Sequence, residues 1–234
     1  MQSKFFRSQV IQNKKLNYKF NLLKFKLIDQ IFSFKPGQFI TLKVSNLIFR
    51  CYSIFSLPTS LPYWEIFVDI TPGGPGTTFV KSLKVKDIIE TSGPSGTFTC
   101  GKDNHHNFIF TATGCGLAPL KPMIENLLNS PDQPKIFLLW GLRYKNDIVL
   151  QDILDDWIKD HPHFYYEIVL SQPEGKWKGK KGYVNSHIMD LTKKLPINNT
   201  SIYLSGNSEF IKSNFESLND VKFPTNDIHF ESYY

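Results

Sequence analysis

Phe49-Arg50-Cys51-Tyr52-Ser53-Ile54 brings a guanidinium, an aromatic ring and a hydroxyl into a few consecutive residues. Aromatic and β-branched neighbours make the stretch a strand. Side chains on a strand alternate between faces, so Arg50 and Tyr52 share one face, with Ser53 beside them at the edge. This grouping suits a ligand with a phosphate and a flat ring. Arg50 offers a two-pronged donor, Tyr52 a surface to cover the ring, and Ser53 a hydrogen bond to its edge. A second stretch, Gly73-Gly74-Pro75-Gly76-Thr77-Thr78, has small residues that let backbone approach a ligand closely. Thr77 is placed to cap a following short helix, whose free amides make a phosphate site. A third, Thr113-Gly114-Cys115-Gly116-Leu117-Ala118-Pro119, is a Gly-x-Gly turn running from a strand into a helix with proline in its first turn. Its amides can receive a pyrophosphate. Cys115 could also be read as a nucleophile, but no Cys–His–acid arrangement is visible. His105 and His106 adjoin on a polar segment without a third ligand, so no metal is expected.

These residues need elements to position them. In the first half, residues 5–13, 18–27, 38–44, 48–56, 63–70 and 87–92 read as short strands. Turn signals separate them at Asn13-Lys14, Pro36-Gly37, Pro58-Thr59-Ser60 and Thr71 to Gly74. Six short strands with such turns predict an antiparallel β-barrel. The period changes after about residue 102. Strand-like segments at 108–112, 135–140, 165–171, 201–205 and 228–231 alternate with helix-like ones at 118–129, 148–159, 183–194 and 207–218. Alternating units of this kind predict a parallel sheet with helices on both faces and ligands beyond the strands' carboxyl ends. The expected organisation is two domains, an antiparallel β-barrel over 1–102 and an α/β parallel-sheet domain over 103–234, joined by the polar segment Asp103 to Asn107.

A hydrophobic content of 41% supports two real cores and argues against disorder. No apolar run approaches the ~18 residues of a membrane span. Met1 to Lys15 has no apolar h-region, so a secretory signal is not expected, and Phe5 to Ile11 reads as a first strand. Cys51, Cys100 and Cys115 lie far apart, with no metal or iron–sulfur spacing, which suits a reducing cytoplasm. The formal charge of +6 is scattered over strands without a nucleic-acid-binding motif. A basic face for an acidic protein partner is the better use of it.

Arg50-x-Tyr52-Ser53 resembles the flavin-binding signature of the ferredoxin–NADP reductase family. The likeness extends from about Gln9 to Tyr233. Pro36-Gly37-Gln38 resembles that family's turn before the flavin strand. Gly74-x-x-Thr77 stands where the family has Gly-x-x-Ser/Thr, and Ser92 to Phe98 is similar to its Gly-Pro-x-Gly-x-Phe. Gly114-Cys115-Gly116-x-Ala118-Pro119 resembles its nicotinamide-dinucleotide loop, with Cys115 replacing threonine. Leu139 to Arg143 resembles a strand ending in Gly-x-Arg. Tyr203 to Phe210 resembles the segment near the nicotinamide, with Ser205 where plant-type members have cysteine. Glu231-x-Tyr233 resembles the terminal Glu-x-aromatic.

The resemblance implies FAD in the first domain and NAD(P)H in the second. It implies flavin contacts from Arg50, Cys51, Tyr52, Ser53, Gly74, Gly76 and Thr77, and nucleotide contacts from Thr113, Gly114, Cys115, Gly116, Arg143, Ser171 and Gly206. Either Tyr233 or Tyr234 would stack on the flavin, and Ser53, Ser205 and Glu231 would serve the hydride step. Gln172 stands beside Ser171 where NADPH-preferring members tend to have arginine, so the lean is to NADH, although Lys176, Lys178, Lys180, Lys181 and Tyr183 come next in the chain. The implied function is a monomeric flavoenzyme passing electrons to a separate acceptor. That acceptor is an acidic ferredoxin or flavodoxin, or an oxygenase component. The alternatives are a reductase of free flavin and a non-catalytic flavin-binding electron-transfer subunit.

Overall fold

The computed structural model describes residues 5–29, 32–100 and 105–233. Asp103 and Asn104 of the expected linker, and Tyr234, lie outside the described residues. The chain divides into two compact units, with the division after Cys100.

The first unit holds β1 (Phe5–Lys15), β2 (Phe20–Leu27), β3 (Phe39–Lys43), β4 (Phe49–Ser53), β5 (Tyr63–Asp69), the helix α1 (Pro75–Ser82) and β6 (Ile88–Ser95). The six strands pair antiparallel in the order β4-β3-β6-β1-β2-β5. Past the end of β4 the amide of Phe55 donates to the carbonyl of Glu65 on β5 at 2.8 Å. The amide of Glu65 donates to Ser56 Oγ at 3.2 Å. The two edges of the sheet therefore meet, and the sheet curls into the expected barrel. Alternation fills its interior: Leu23, Phe25 and Leu27 of β2 point inward, and Lys24 and Lys26 do not. Phe25 stacks on Trp64 with ring centroids 4.3 Å apart, and Trp64 Nε1 donates to the buried Ser8 Oγ at 3.2 Å. The one buried indole N–H among these side chains is thus satisfied.

Two local expectations change. Asn13-Lys14 is not a turn: β1 runs on to Lys15, and the chain turns at residues 16–19, where Asn17 Oδ1 accepts from the amides of Lys19 and Phe20. Thr77 does not cap a following helix. Helix α1 starts at Pro75 with Gly74 as N-cap, and Thr77 lies inside its first turn, donating its hydroxyl to the Gly74 carbonyl at 2.9 Å. Proline at N1 supplies a preset φ, which moves the start earlier than the threonine suggests.

The second unit holds β7 (Asn107–Thr113), α2 (Leu117–Leu128), β8 (Lys135–Leu142), α3 (Gln151–Asp160), β9 (Phe164–Leu170), β10 (Lys180–Lys181), α4 (Val184–Thr192), β11 (Thr200–Asn207), α5 (Ser208–Asp220) and β12 (Ile228–Tyr233). All strands are parallel, in the order β10-β9-β8-β7-β11-β12. Helices cover both faces. Trp157 of α3 packs edge-on against Phe164, while Val184 and Ile188 of α4 join Val169 in the core of the other face. From β7 the chain proceeds outward through β8 and β9, then returns to β11 on the other side of β7. The strand order reverses there, and the carboxyl ends of the strands at such a reversal are the ordinary place for a ligand in this kind of sheet. The two-residue β10 is an addition to the expected strands; its pairing to Val169 and Leu170 is long-range and leaves no local signal.

Candidate functional site

In the first unit the structure joins two stretches that are separate in sequence. Arg50 and Tyr52 lie on one face of β4. A side-chain carbon at Gly76 would come within 2.6 Å of the Tyr52 hydroxyl and 2.9 Å of Arg50 Cγ. A larger residue would push these side chains aside, so the first turn of α1 sits against the guanidinium stem and the phenol. Gly74 faces open space, since a carbon added there would meet nothing within 4 Å. Helix starts leave their first amides without intrahelical partners, so the amides of Gly76 and Thr77 sit next to Arg50. Arg50 is exposed and spends one donor on the Phe49 carbonyl at 2.8 Å, leaving the rest of its fork for an anion. Thr77 and Ser53 are buried. The Cys51 side chain lies on the opposite face, with Sγ 3.5 Å from Thr41 Oγ1, so any ligand contact it makes on the Arg50 face is through backbone.

In the second unit β7 ends at Thr113, and Gly114–Gly116 form a single tight turn before α2. Gly114 has φ +52, in the left-handed region, and a carbon added to it would meet nothing within 4 Å. Its carbonyl accepts from Trp140 Nε1 at 2.9 Å, which ties the turn to β8. Gly116 is required for space: a carbon there would lie 2.1 Å from the Ser205 carbonyl oxygen. Gly206 is required likewise, with Thr113 Oγ1 at 2.3 Å. The Gly-x-Gly turn and the end of β11 thus close on one another at the strand-order reversal. Ser205 between them is fully buried, and its hydroxyl has no hydrogen-bond partner among the described residues. Buried hydroxyls are normally satisfied, so this one is left for a group that the chain does not supply. Cys115 is half-buried in the same turn. In register, Ser205 lies beside Glu231 and Asn207 beside Tyr233, and the Tyr233 hydroxyl donates to Glu231 Oε2 at 2.8 Å. Asn207 caps α5: its Oδ1 accepts from the Phe210 amide at 2.8 Å.

Arg143 lies just past the end of β8, and its Nε donates to Gln172 Oε1 at 3.1 Å. The amide of Ser171 donates to the Leu142 carbonyl at 3.0 Å and that of Gln172 to the Arg143 carbonyl at 2.9 Å. These bonds lace the ends of β8 and β9 together. A residue that no sequence motif singles out organises this corner. Asp147 is fully buried, and its Oδ2 accepts from the amides of Arg143 at 3.2 Å and Tyr144 at 3.1 Å. An acid three residues after Tyr144 is the available signal, because such an acid can reach back to an N-cap amide. His105 takes no part in the site. It lies at the amino ends of the strands, with Nδ1 3.2 Å from Ser201 Oγ and Nε2 3.5 Å from Asp227 Oδ1.

Residues 7–100 match the oxidoreductase FAD-binding domain family, and residues 110–214 match the oxidoreductase NAD-binding domain family. The chain belongs to the ferredoxin reductase-like family. It is an FAD- and NAD(P)-binding oxidoreductase with an electron-transfer role. Ferredoxin–NADP reductase B of Sorangium cellulosum is 29% identical over 199 residues, 83% of this chain and 82% of that protein. Phenol hydroxylase P5 protein of Acinetobacter pittii is 30% identical over 232 residues, 97% of this chain but 65% of the relative. A ferredoxin NADP⁺ reductase from Neisseria gonorrhoeae, solved with bound FAD and NADP, shares the fold with a TM-score of 0.85 at 18% identity, covering 100% of both chains. An Amycolatopsis cytochrome P450 reductase does so with a TM-score of 0.90 at 20% identity, covering 98% of this chain and 69% of that one. The residues present fit the family's cofactors. The α1 start beside Arg50 and Tyr52 suits a phosphate-bearing ring system, and the open Gly114 turn with the orphaned Ser205 hydroxyl suits a dinucleotide.

Proposed function

We propose that this chain takes electrons from reduced nicotinamide and delivers them through FAD to a separate acceptor, a ferredoxin, a flavodoxin or the oxygenase half of a two-component system. The observation that carries the reading is the close approach of Gly76 to Tyr52 and Arg50, which makes one anion-and-ring site of two distant stretches. In this proposal the flavin domain is 1–102 and the nicotinamide domain 103–234. Arg50 and the first amides of α1 bind the flavin pyrophosphate, Tyr52 covers the ring system, and Ser53 hydrogen-bonds its edge. The backbone of Cys51, Gly74 and Gly76 and the side chain of Thr77 complete that site. Thr113, Gly114, Cys115 and Gly116 receive the nicotinamide pyrophosphate. Arg143 and Ser171 bind toward the adenosine end, and Gly206 lets the loop close. When bound, the two cofactors supply the redox chemistry, a hydride passing from nicotinamide to flavin. The chain's part is to hold and orient them: Ser205 offers its unpaired hydroxyl to the nicotinamide end, Glu231 holds a carboxylate next to it, and Tyr233 or Tyr234 supplies a ring that covers the flavin.

NADH is the proposed donor. The position beside Ser171 carries the neutral Gln172 instead of a cation, and its carbonyl accepts from Arg143 Nε at 3.1 Å. The names of the relatives, a ferredoxin reductase and a phenol hydroxylase component, support a protein acceptor, and the +6 charge supports an acidic one. The test compares NADH oxidation with an acidic ferredoxin, a flavodoxin and free FMN as acceptors at rising salt. Rapid reduction of an acidic protein that slows with salt is expected. Turnover with free FMN alone would overturn the acceptor assignment.

A further inference from the structure

Helix α1 is eight residues long, about 12 Å at the usual rise. A helix this short has no stability of its own, so its placement is set by what grips its ends. Its amino end faces Arg50 and Tyr52. At its other end Val80 and Leu83 bury their side chains in the barrel core. Apolar contacts of this kind hold a helix against a surface but are non-directional, and leave its slide and rotation poorly fixed. The last carbonyls of a helix are unpaired, and here two are taken by one side chain. Asn13 Nδ2 donates to the Val80 carbonyl at 2.9 Å and to the Leu83 carbonyl at 2.9 Å. Both amide hydrogens of Asn13 are spent on α1.

Two further features prepare Asn13 for this. The β1–β2 register slips between Val10 and Gln12. Before that bulge the inward residues of β1 are Phe6, Ser8 and Val10; after it, the inward side is that of Ile11 and Asn13. An extra residue in a strand re-aims the side chains beyond it, and without it Asn13 would point to solvent. The amide orientation is then fixed from β2, where Asn21 Nδ2 donates to Asn13 Oδ1 at 2.9 Å. Asn21 is buried, and its own Oδ1 has no partner among the described residues. That unpaired oxygen is a cost the pair carries while Asn13 holds the two carbonyls of α1.

We propose that Asn13, oriented by Asn21, is a positioning residue for the flavin pyrophosphate: it fixes α1 along its axis so that the helix start lies at phosphate distance from Arg50. The inference rests on the flavin reading of that site. The experiment measures binding of FAD and of riboflavin, which has no phosphate, to apoprotein of wild type, Arg50→Ala, Asn13→Leu and Asn13→Ser. The serine variant serves where the leucine variant does not fold. Both Asn13 variants are expected to bind FAD about tenfold more weakly, to release it faster, and to bind riboflavin as wild type does. Asn21→Ala is expected to show a smaller loss in the same direction. An equal loss of FAD and riboflavin affinity, or of neither, in a folded Asn13 variant overturns the proposal. Wild type that binds no FAD, or an Arg50→Ala variant that binds it normally, overturns the flavin reading instead.

Discussion

Replacing Gly116 by alanine separates space from conformation in the nucleotide turn. Gly116 has φ −57 and ψ −15, ordinary helical values that alanine adopts without strain. The added carbon, however, would lie 2.1 Å from the Ser205 carbonyl oxygen and 2.7 Å from its carbon. Both are backbone atoms of a strand paired on each side, to β7 and β12, so they cannot swing away as a side-chain tip could. The turn must lift by roughly an ångström, and overpacking of this kind costs about 1–3 kcal/mol. Gly114 is the reverse case: the added carbon has room, but φ +52 costs an L-residue about 1–2 kcal/mol. Gly116→Ala is therefore expected to displace the amides proposed to bind phosphate and to weaken NADH binding at least tenfold. FAD affinity should stay unchanged, because Arg50, Tyr52 and Gly76 belong to the other unit. Gly114→Ala should lower stability by a similar amount. The assay is an NAD⁺ titration followed at the flavin absorption band, with FAD content and thermal unfolding measured on the same samples. A Gly116→Ala variant with wild-type nucleotide affinity and melting temperature would refute the reasoning, and so would one that loses FAD and nucleotide together.

Three further outcomes depend on single side chains. Arg50→Ala removes the proposed phosphate contact, and a charge-assisted contact of that kind is worth about 1.5–3 kcal/mol, so FAD affinity should fall about 10- to 150-fold by fluorescence titration. Ser205→Ala deletes a buried hydroxyl that has no partner among the described residues, so the melting temperature should hold or rise while flavin reduction by NADH slows in stopped-flow. The phenol of Tyr166 is pushed up to about 12, chiefly by burial and then by its hydrogen bond to Asp155. The unfolded phenol ionises near 10, so this stabilisation is whole below pH 10 and is lost as pH rises toward 12. Tyr166→Phe should flatten the decline in denaturant stability over that window.

Much of the fold is legible in the sequence because the periodicities are local. Alternation in β2, from Phe20 to Leu27, declares a half-buried strand. The unbroken apolar run Phe108 to Phe110, leading to Gly114 and Gly116, declares a parallel strand feeding a nucleotide turn. The site residues are legible as types, and their assembly is not. That Gly76 rests on Tyr52 and that Gly116 rests on Ser205 are contacts between stretches with no shared pattern. Asn13 misleads for the same reason. Asn-Lys is an ordinary turn signal, and only the bulge at Ile11 and the carbonyls of Val80 and Leu83 make it a strand residue with its amide spent. Thr77 misleads because a threonine near a helix start is a good cap, but Pro75 sets the start three residues earlier than a Thr77 cap would.

The central claim is that reduced nicotinamide passes electrons to a flavin held by this chain. The measurement is the absorption spectrum of the FAD-loaded protein under nitrogen, recorded as NADH and then NADPH are added. The account predicts a bound-flavin band that bleaches promptly with NADH and more slowly with NADPH. Protein that holds no flavin, or a flavin band that neither nicotinamide bleaches, would contradict it.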